Sequence, residues 1–288
     1  MFLLDSALVM ISKNKILILG FFVSTSFSQE VKWMSIGDLH NWYSAAGCEV
    51  ETGRTGQVSD QQDGLRYPAF YRVQDNQAAK GLWLGATNFY DPVVNKDYEY
   101  KVIHAGPRHL DIENETMPVD MTMDGKYDHP NVFVDGDPAT NLQYLDDVDN
   151  VDPSLPSDRR INNIVQTSIG VQMKRTIHAF SHPEHQNYHI QEYVFTNNGC
   201  FDADCNTSYE QTLEGFQVYL QYRYAISREG MVYDGNWLPQ SAAWGHNTMN
   251  DVIGEHPNAP SINDQYYDDG EIMRALFSWQ GYHSDASF

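Results

Sequence analysis

Three runs decide how this chain reads: IVQTSIGVQMK at residues 164–174, HIQEYVFT at 189–196 and FQVYLQYRYAI at 216–226. In the first, Val165, Ile169, Val171 and Met173 fall on one side, opposite Gln166, Ser168, Gln172 and Lys174. In the second, Tyr193 and Phe195 oppose Ile190 and Val194; in the third, Phe216, Val218, Leu220, Tyr222, Tyr224 and Ile226 oppose Gln217, Tyr219, Gln221 and Arg223. Apolar residues recurring every second position would be scattered around a helix but share one face of a strand. Consecutive half-buried antiparallel strands are the expectation.

The gaps between the runs carry strand-ending residues, His182-Pro183 and then Asn197-Asn198-Gly199. A mainly β fold follows, with an antiparallel β-sandwich of immunoglobulin- or fibronectin-like character over 161–288. Ahead of it, residues 29–134 read as an irregular, loop-rich β region, with strand-like pieces at Gly81–Ala86, Tyr98–His104 and Asn131–Val134. Between these regions, 135–160 is acidic and contains Pro138, Pro153 and Pro156, which suggests a linker. Ile272–Trp279 reads as one more strand, and the chain then stops at Phe288 without a polar tail or sorting module, as a fragment truncated at its C-terminus would.

The N-terminus has the build of a secretory signal peptide. Lys13 and Lys15 precede an apolar run, Ile16–Val23, and Ser26 and Ser28 flank Phe27 in the small-x-small pattern of a cleavage site. The run is too short to span a bilayer, which needs about 20 residues. Residues 1–28 are therefore expected to be removed, with Met10 as the true start and a mature chain beginning at Gln29, secreted or held at the cell surface. Cleavage moves the formal charge from −21 to about −22. A chain this acidic repels nucleic acid and anionic lipid. Its abundant Tyr and other aromatics favour strands. In an oxidising compartment Cys200 and Cys205, five residues apart, are a candidate disulfide, leaving Cys48 over.

Several constellations are candidates for chemistry. Asp135, Asp137, Asp146, Asp147, Asp149 and Asp152 lie in the Pro-bounded acidic segment, and a loop of carboxylates can supply the hard oxygen ligands that calcium takes. Their spacing is not that of an EF-hand, so the signal is compositional, and a solvated acidic loop is the plainer reading. His178, His182, His185 and His189, with Glu184 among them, could converge on zinc for a metal-dependent hydrolase, although the His-Glu-x-x-His spacing is absent and Pro183 argues against a helix. Gly37-Asp38-Leu39-His40-Asn41 is similar to the first metal-binding motif of calcineurin-like phosphoesterases, but the downstream elements that such two-metal enzymes need do not occur. No nucleophile elbow, phosphate loop or dinucleotide fingerprint is present. Trp33, Trp42, Tyr43, Trp83, Trp237 and Trp244 divide between core positions and platforms that stack on sugar rings. Glycoside hydrolysis needs two facing carboxylates, and no spacing among the 39 acidic residues singles out such a pair.

The combination of Val151-Asp152-Pro153-Ser154-Leu155-Pro156-Ser157-Asp158-Arg159, Thr167-Ser168-Ile169-Gly170-Val171, Ala179-Phe180-Ser181 and Glu192-Tyr193-Val194-Phe195-Thr196-Asn197-Asn198-Gly199, with Gly81-Leu82-Trp83-Leu84-Gly85, resembles large secreted β-rich proteins. These belong to Bacteroidetes-like and related marine bacteria, and many carry a C-terminal type IX secretion sorting domain. The resemblance implies extracellular or cell-surface placement and no particular activity; the lack of a sorting domain departs from the pattern. The expectation is a non-enzymatic structural, adhesive or ligand-binding module, possible calcium stabilisation included, whose partner is an extracellular ligand or cell-surface component. A carbohydrate-active protein and a metal-dependent hydrolase are the alternatives.

Overall fold

In the computed structural model, residues 30–50, 65–70, 76–106, 115–129, 133–138, 146–224, 231–233, 236–238, 248–254 and 274–280 are described. The expected signal peptide lies outside them. The protein is mainly β, and no helix occurs among the described residues.

Strands β1 (Val31–Met34) and β2 (Asn41–Ser44) form a hairpin. Next come β3 (Glu49–Val50), β4 (Gln77–Asp91), β5 (Lys96–Ala105) and β6 (Thr116–Gly125). The short β7 (Phe133–Val134), β8 (Asp137–Pro138) and β9 (Asn150–Val151) cross the acidic segment. The long strands β10 (Arg159–Thr167), β11 (Val171–Ala179), β12 (His189–Asn197) and β13 (Glu214–Tyr224) follow. Beyond them, β14 (Met231–Tyr233) pairs with β15 (Asn236–Leu238), and β16 (Thr248–Gly254) with β17 (Arg274–Gln280).

Two sheets organise this order. One is five-stranded, β12-β11-β10-β6-β9, antiparallel except where β9 joins β6 in parallel. The other centres on β4, with β13 along one edge and β3 and β5 along the other. Leu82, Leu84, Ala86, Phe89 and Ile103 of the second sheet pack in one buried cluster with Val165, Val171 and Met173 of the first. Burying a side chain of this size contributes roughly 1.5–3 kcal/mol. A second cluster lays Met34, Tyr43 and Ala45 from the β1–β2 hairpin and its exit against Met121, Met123, Ile161 and Ile177 of the five-stranded sheet.

Two sequence expectations change. The first alternating run is two strands: Thr167 ends β10, Val171 opens β11, and Gly170, at φ +75°, makes the reversal. Alternation survives the turn because Ile169 at its tip is itself buried and Val165 faces Met173 across the hairpin. The segment 135–160, expected to be a linker, does not divide the fold into an N-terminal and a C-terminal unit. β6 pairs with β10 over nine residues and β4 pairs with β13, so chain from both sides of that segment builds each sheet. Asp149 and Asp152 are bonded through their backbone N–H groups to Met123 and Gly125 of β6. In the expected piece Asn131–Val134, Phe133–Val134 is strand β7 and Asn131 lies outside the described residues.

Candidate functional site

The residues of β4 alternate, so while Leu82, Leu84 and Ala86 face the core, Gly81, Trp83, Gly85 and Thr87 face away from it. The register sets Trp83 opposite His104 on β5 and opposite Tyr219 on β13. Three rings thus form a row across three strands, with centroids 5.3 Å apart for Trp83–His104 and 6.2 Å for Trp83–Tyr219, the latter pair edge to face. Beside this row lie Val102, opposite Gly85, and Gln217. Tyr100 stands one step further along β5, and Gln221 lies opposite Gly81. Trp83 is 36% exposed, Val102 53%, Tyr219 58% and Tyr100 69%, a large share for residues whose burial would stabilise the fold. The glycines on either side of Trp83 matter here. They carry no side chain, and neighbours use that space: the indole Nε1 lies 3.4 Å from where a Cβ on Gly81 would stand, and Val102 Cγ2 lies 3.5 Å from the corresponding point at Gly85. Glu115 steadies the edge, accepting from the His104 backbone N–H at 2.9 Å and lying 3.1 Å from its Nδ1.

On the opposite, core-facing side the same strand carries a charge. Lys80 falls on the parity of Leu82 and Leu84, and its ammonium is bonded to Glu49 Oε1 (3.0 Å), Gln191 Oε1 (3.1 Å) and Tyr193 Oη (3.1 Å), lying 5.3 Å from the Tyr193 and Tyr222 ring centres. Glu49 also accepts from Asn41 Nδ2 (2.7 Å), Gln77 Nε2 (3.0 Å) and Gln191 Nε2 (2.9 Å). Burial alone would push the Glu49 carboxyl up, but the Lys80 charge and the amide donors outweigh it and hold it at about 2. Burial likewise opposes the charge on Lys80, and Glu49 overrides it upward. With both charges paired and hydrogen-bonded, this network ties β2, β3, β4 and β12 together as scaffold. Arg175 makes a comparable tie from β11, donating to the carbonyls of Ser44 and Gly47 and to Asn163 Oδ1. Neither grouping has a sequence motif; the available signal was a charged residue on the core-facing parity of a strand.

The sequence-derived candidates distribute as follows. Asp146 is buried and bonded to Ser35 and to His129 Nε2. Asp149 accepts from Met123 N–H and pairs with Lys32, and Asp152 caps Ser154. Asp147 is exposed, Asp135 turns the chain at φ +54° between β7 and β8, and Asp137 sits in β8. Among the described residues these carboxylates do not gather into a group of three donors. The histidines separate. His178 contacts Ser157 Oγ, and half-buried His189 contacts the Tyr43 hydroxyl at 2.7 Å, its pKa lowered to about 4 by desolvation of the ring. His182, Glu184 and His185 stay together on the exposed β11–β12 loop. The phosphoesterase-like stretch is spent locally: Asp38 binds the Gln186 amide, and His40 Nε2 meets the Gly37 carbonyl. Cys200 and Cys205 are joined by a disulfide, while Cys48 is free and buried, its thiol pushed up to about 11. Trp33, Trp42 and Tyr43 are core residues, and Trp244 and the Trp237 side chain lie outside what is described. No protein-family model, curated protein or solved structure matches the chain.

Proposed function

We propose that this chain is an exported, non-catalytic β-sandwich module, secreted or held at the cell surface, that binds neutral carbohydrate on the outer face of its β5-β4-β13 sheet. The observation that carries the reading is the exposed row His104–Trp83–Tyr219. A pyranose ring presents an apolar, positively polarised C–H face that stacks on the negative face of an aromatic ring. The hydroxyls around its rim need donors and acceptors in the same plane, which Gln217 and Gln221 offer. A ligand with many equivalent rings suits an open row of aromatics on a sheet face better than an enclosed pocket.

The formal charge of −21 disfavours sulfated and uronate polymers, so the expected ligands are uncharged glycans. The carboxylate bonded in this row, Glu115, is engaged with His104, whereas hydrolysis needs two acidic groups facing one glycosidic bond. Binding is therefore preferred over turnover. The sandwich reading is supported by the core that both sheets share, and export by the N-terminal pattern and the disulfide.

A glycan array probed with the purified chain tests this. Binding to one or more neutral polysaccharides, without release of reducing sugar, is the expected result; binding confined to charged glycans, or none, would contradict it.

A further inference from the structure

We infer that the loop between β11 and β12 is a zinc site, with His182, Glu184 and His185 as its protein ligands. One donor atom from each lies within 4.8 Å of the other two, and all three residues are exposed. Zinc bound tetrahedrally at about 2.0–2.1 Å holds its donors roughly 3.4 Å apart, a closure that exposed side chains reach by rotation. Two imidazoles with one carboxylate form a donor set that zinc takes, and the two nitrogen donors disfavour calcium, which takes six to eight oxygens. Three protein ligands leave a fourth position open to water or to a donor from a partner.

The loop is built to hold this arrangement. His185 N–H donates to the His182 carbonyl at 2.8 Å, closing a turn around Pro183. Its far end is docked on the β1–β2 connection. Asp38 N–H donates to the Gln186 carbonyl at 2.7 Å, and Gln186 Nε2 returns a bond of 2.9 Å to Asp38 Oδ2. The approach is so close that a Cβ on Gly37, at φ +77°, would lie 2.5 Å from the Gln186 carbonyl oxygen. His185 Nδ1 lies 2.5 Å from the Tyr188 hydroxyl. With Nδ1–H donating there, Nε2 keeps its lone pair for the metal, the outer partner that ligating histidines ordinarily have. His182 Nδ1 accepts a longer bond, 3.2 Å, from Glu184 N–H, which the metal replaces. The site stands on the loop and is independent of the carbohydrate reading.

Titration of zinc chloride into the full, disulfide-intact chain, followed by calorimetry, tests it. One equivalent is expected to bind saturably, with calcium chloride giving no such heat. His185→Ala and His182→Ala should each abolish saturable binding, and Tyr188→Phe should weaken it about tenfold. His178→Ala should bind as the parent does, because His178 contacts Ser157 instead. Since the three ligands are exposed, melting temperatures in the absence of metal verify that each variant is folded. Absence of saturable zinc binding by the parent, or parent-like binding by His185→Ala, would overturn the assignment.

Discussion

The two sheets turn very different faces away from their shared core. On the five-stranded sheet that face is mixed and carries no Phe, Tyr or Trp on β10, β11 or β12: Ile190 and Val194 are exposed, at 48% and 46%, among polar residues. Asp124 accepts from Arg160 and from Asn162, and Lys174, Thr176 and His178 face Val194, Glu192 and Ile190 across β11–β12. On the β5-β4-β13 sheet the equivalent positions are Trp83, Tyr219, Tyr100, Val102 and two glycines. Folding alone asks only that one face of each sheet be apolar, and on the five-stranded sheet the buried inner face meets that requirement. Aromatic rings left partly in water on the other sheet gain less for the fold than buried ones would, which is the physical reason for locating ligand binding there.

The contrast can be attacked through what supports it. Lys80→Met removes the partner of buried Glu49 directly behind the aromatic face, and leaving that carboxylate uncompensated should cost about 3–5 kcal/mol in urea denaturation. Acid should act on the same region in two stages. His189 ordinarily titrates at 6.5 but is held at about 4 in the fold, so below 6.5 the unfolded chain takes up a proton that the folded chain refuses. Its contribution is complete above pH 6.5 and is lost as pH falls toward 4, about 3 kcal/mol in all. Glu49, lowered from 4.5 to about 2, contributes above pH 4.5, and that contribution is lost as pH falls toward 2. Denaturation midpoints at pH 7, 5.5 and 4 should therefore decline, and His189→Gln should flatten that first decline. Trp83→Ala should cost about 2 kcal/mol of glycan binding; because the ring is 36% exposed and packs on His104, some stability is lost as well, and binding is compared under conditions where the variant is folded. The smallest effect belongs to the five-stranded sheet: Thr176→Ala should change stability by no more than about 0.5 kcal/mol and leave binding untouched.

Much of the strand content was legible because alternation is a local signal. Val165, Val171, Met173, Tyr193 and Phe195 face inward as their spacing requires. What alternation cannot say is which strands pair. β6 and β10 are separated by the acidic segment, and only the register shows that Ile161 meets Met123, so proline and aspartate density there suggested a linker where chain passes between partners. The site was half legible. Trp83 was one of six aromatics divided between core positions and sugar platforms, and nothing near it in sequence announces Tyr219, which the β4–β13 pairing delivers. The histidine cluster was visible as a run. Its division into a half-buried His189, a His178 bound to Ser157 and an exposed His182–Glu184–His185 group depends on strand parity and loop docking.

The central claim, that the aromatic face is the binding face, is tested most directly by titrating one array-positive neutral polysaccharide into the parent chain, Trp83→Ala and Thr176→Ala. The parent and Thr176→Ala should bind alike, with Trp83→Ala about 30-fold weaker. Equal binding by Trp83→Ala and the parent, with both variants folded, would contradict it.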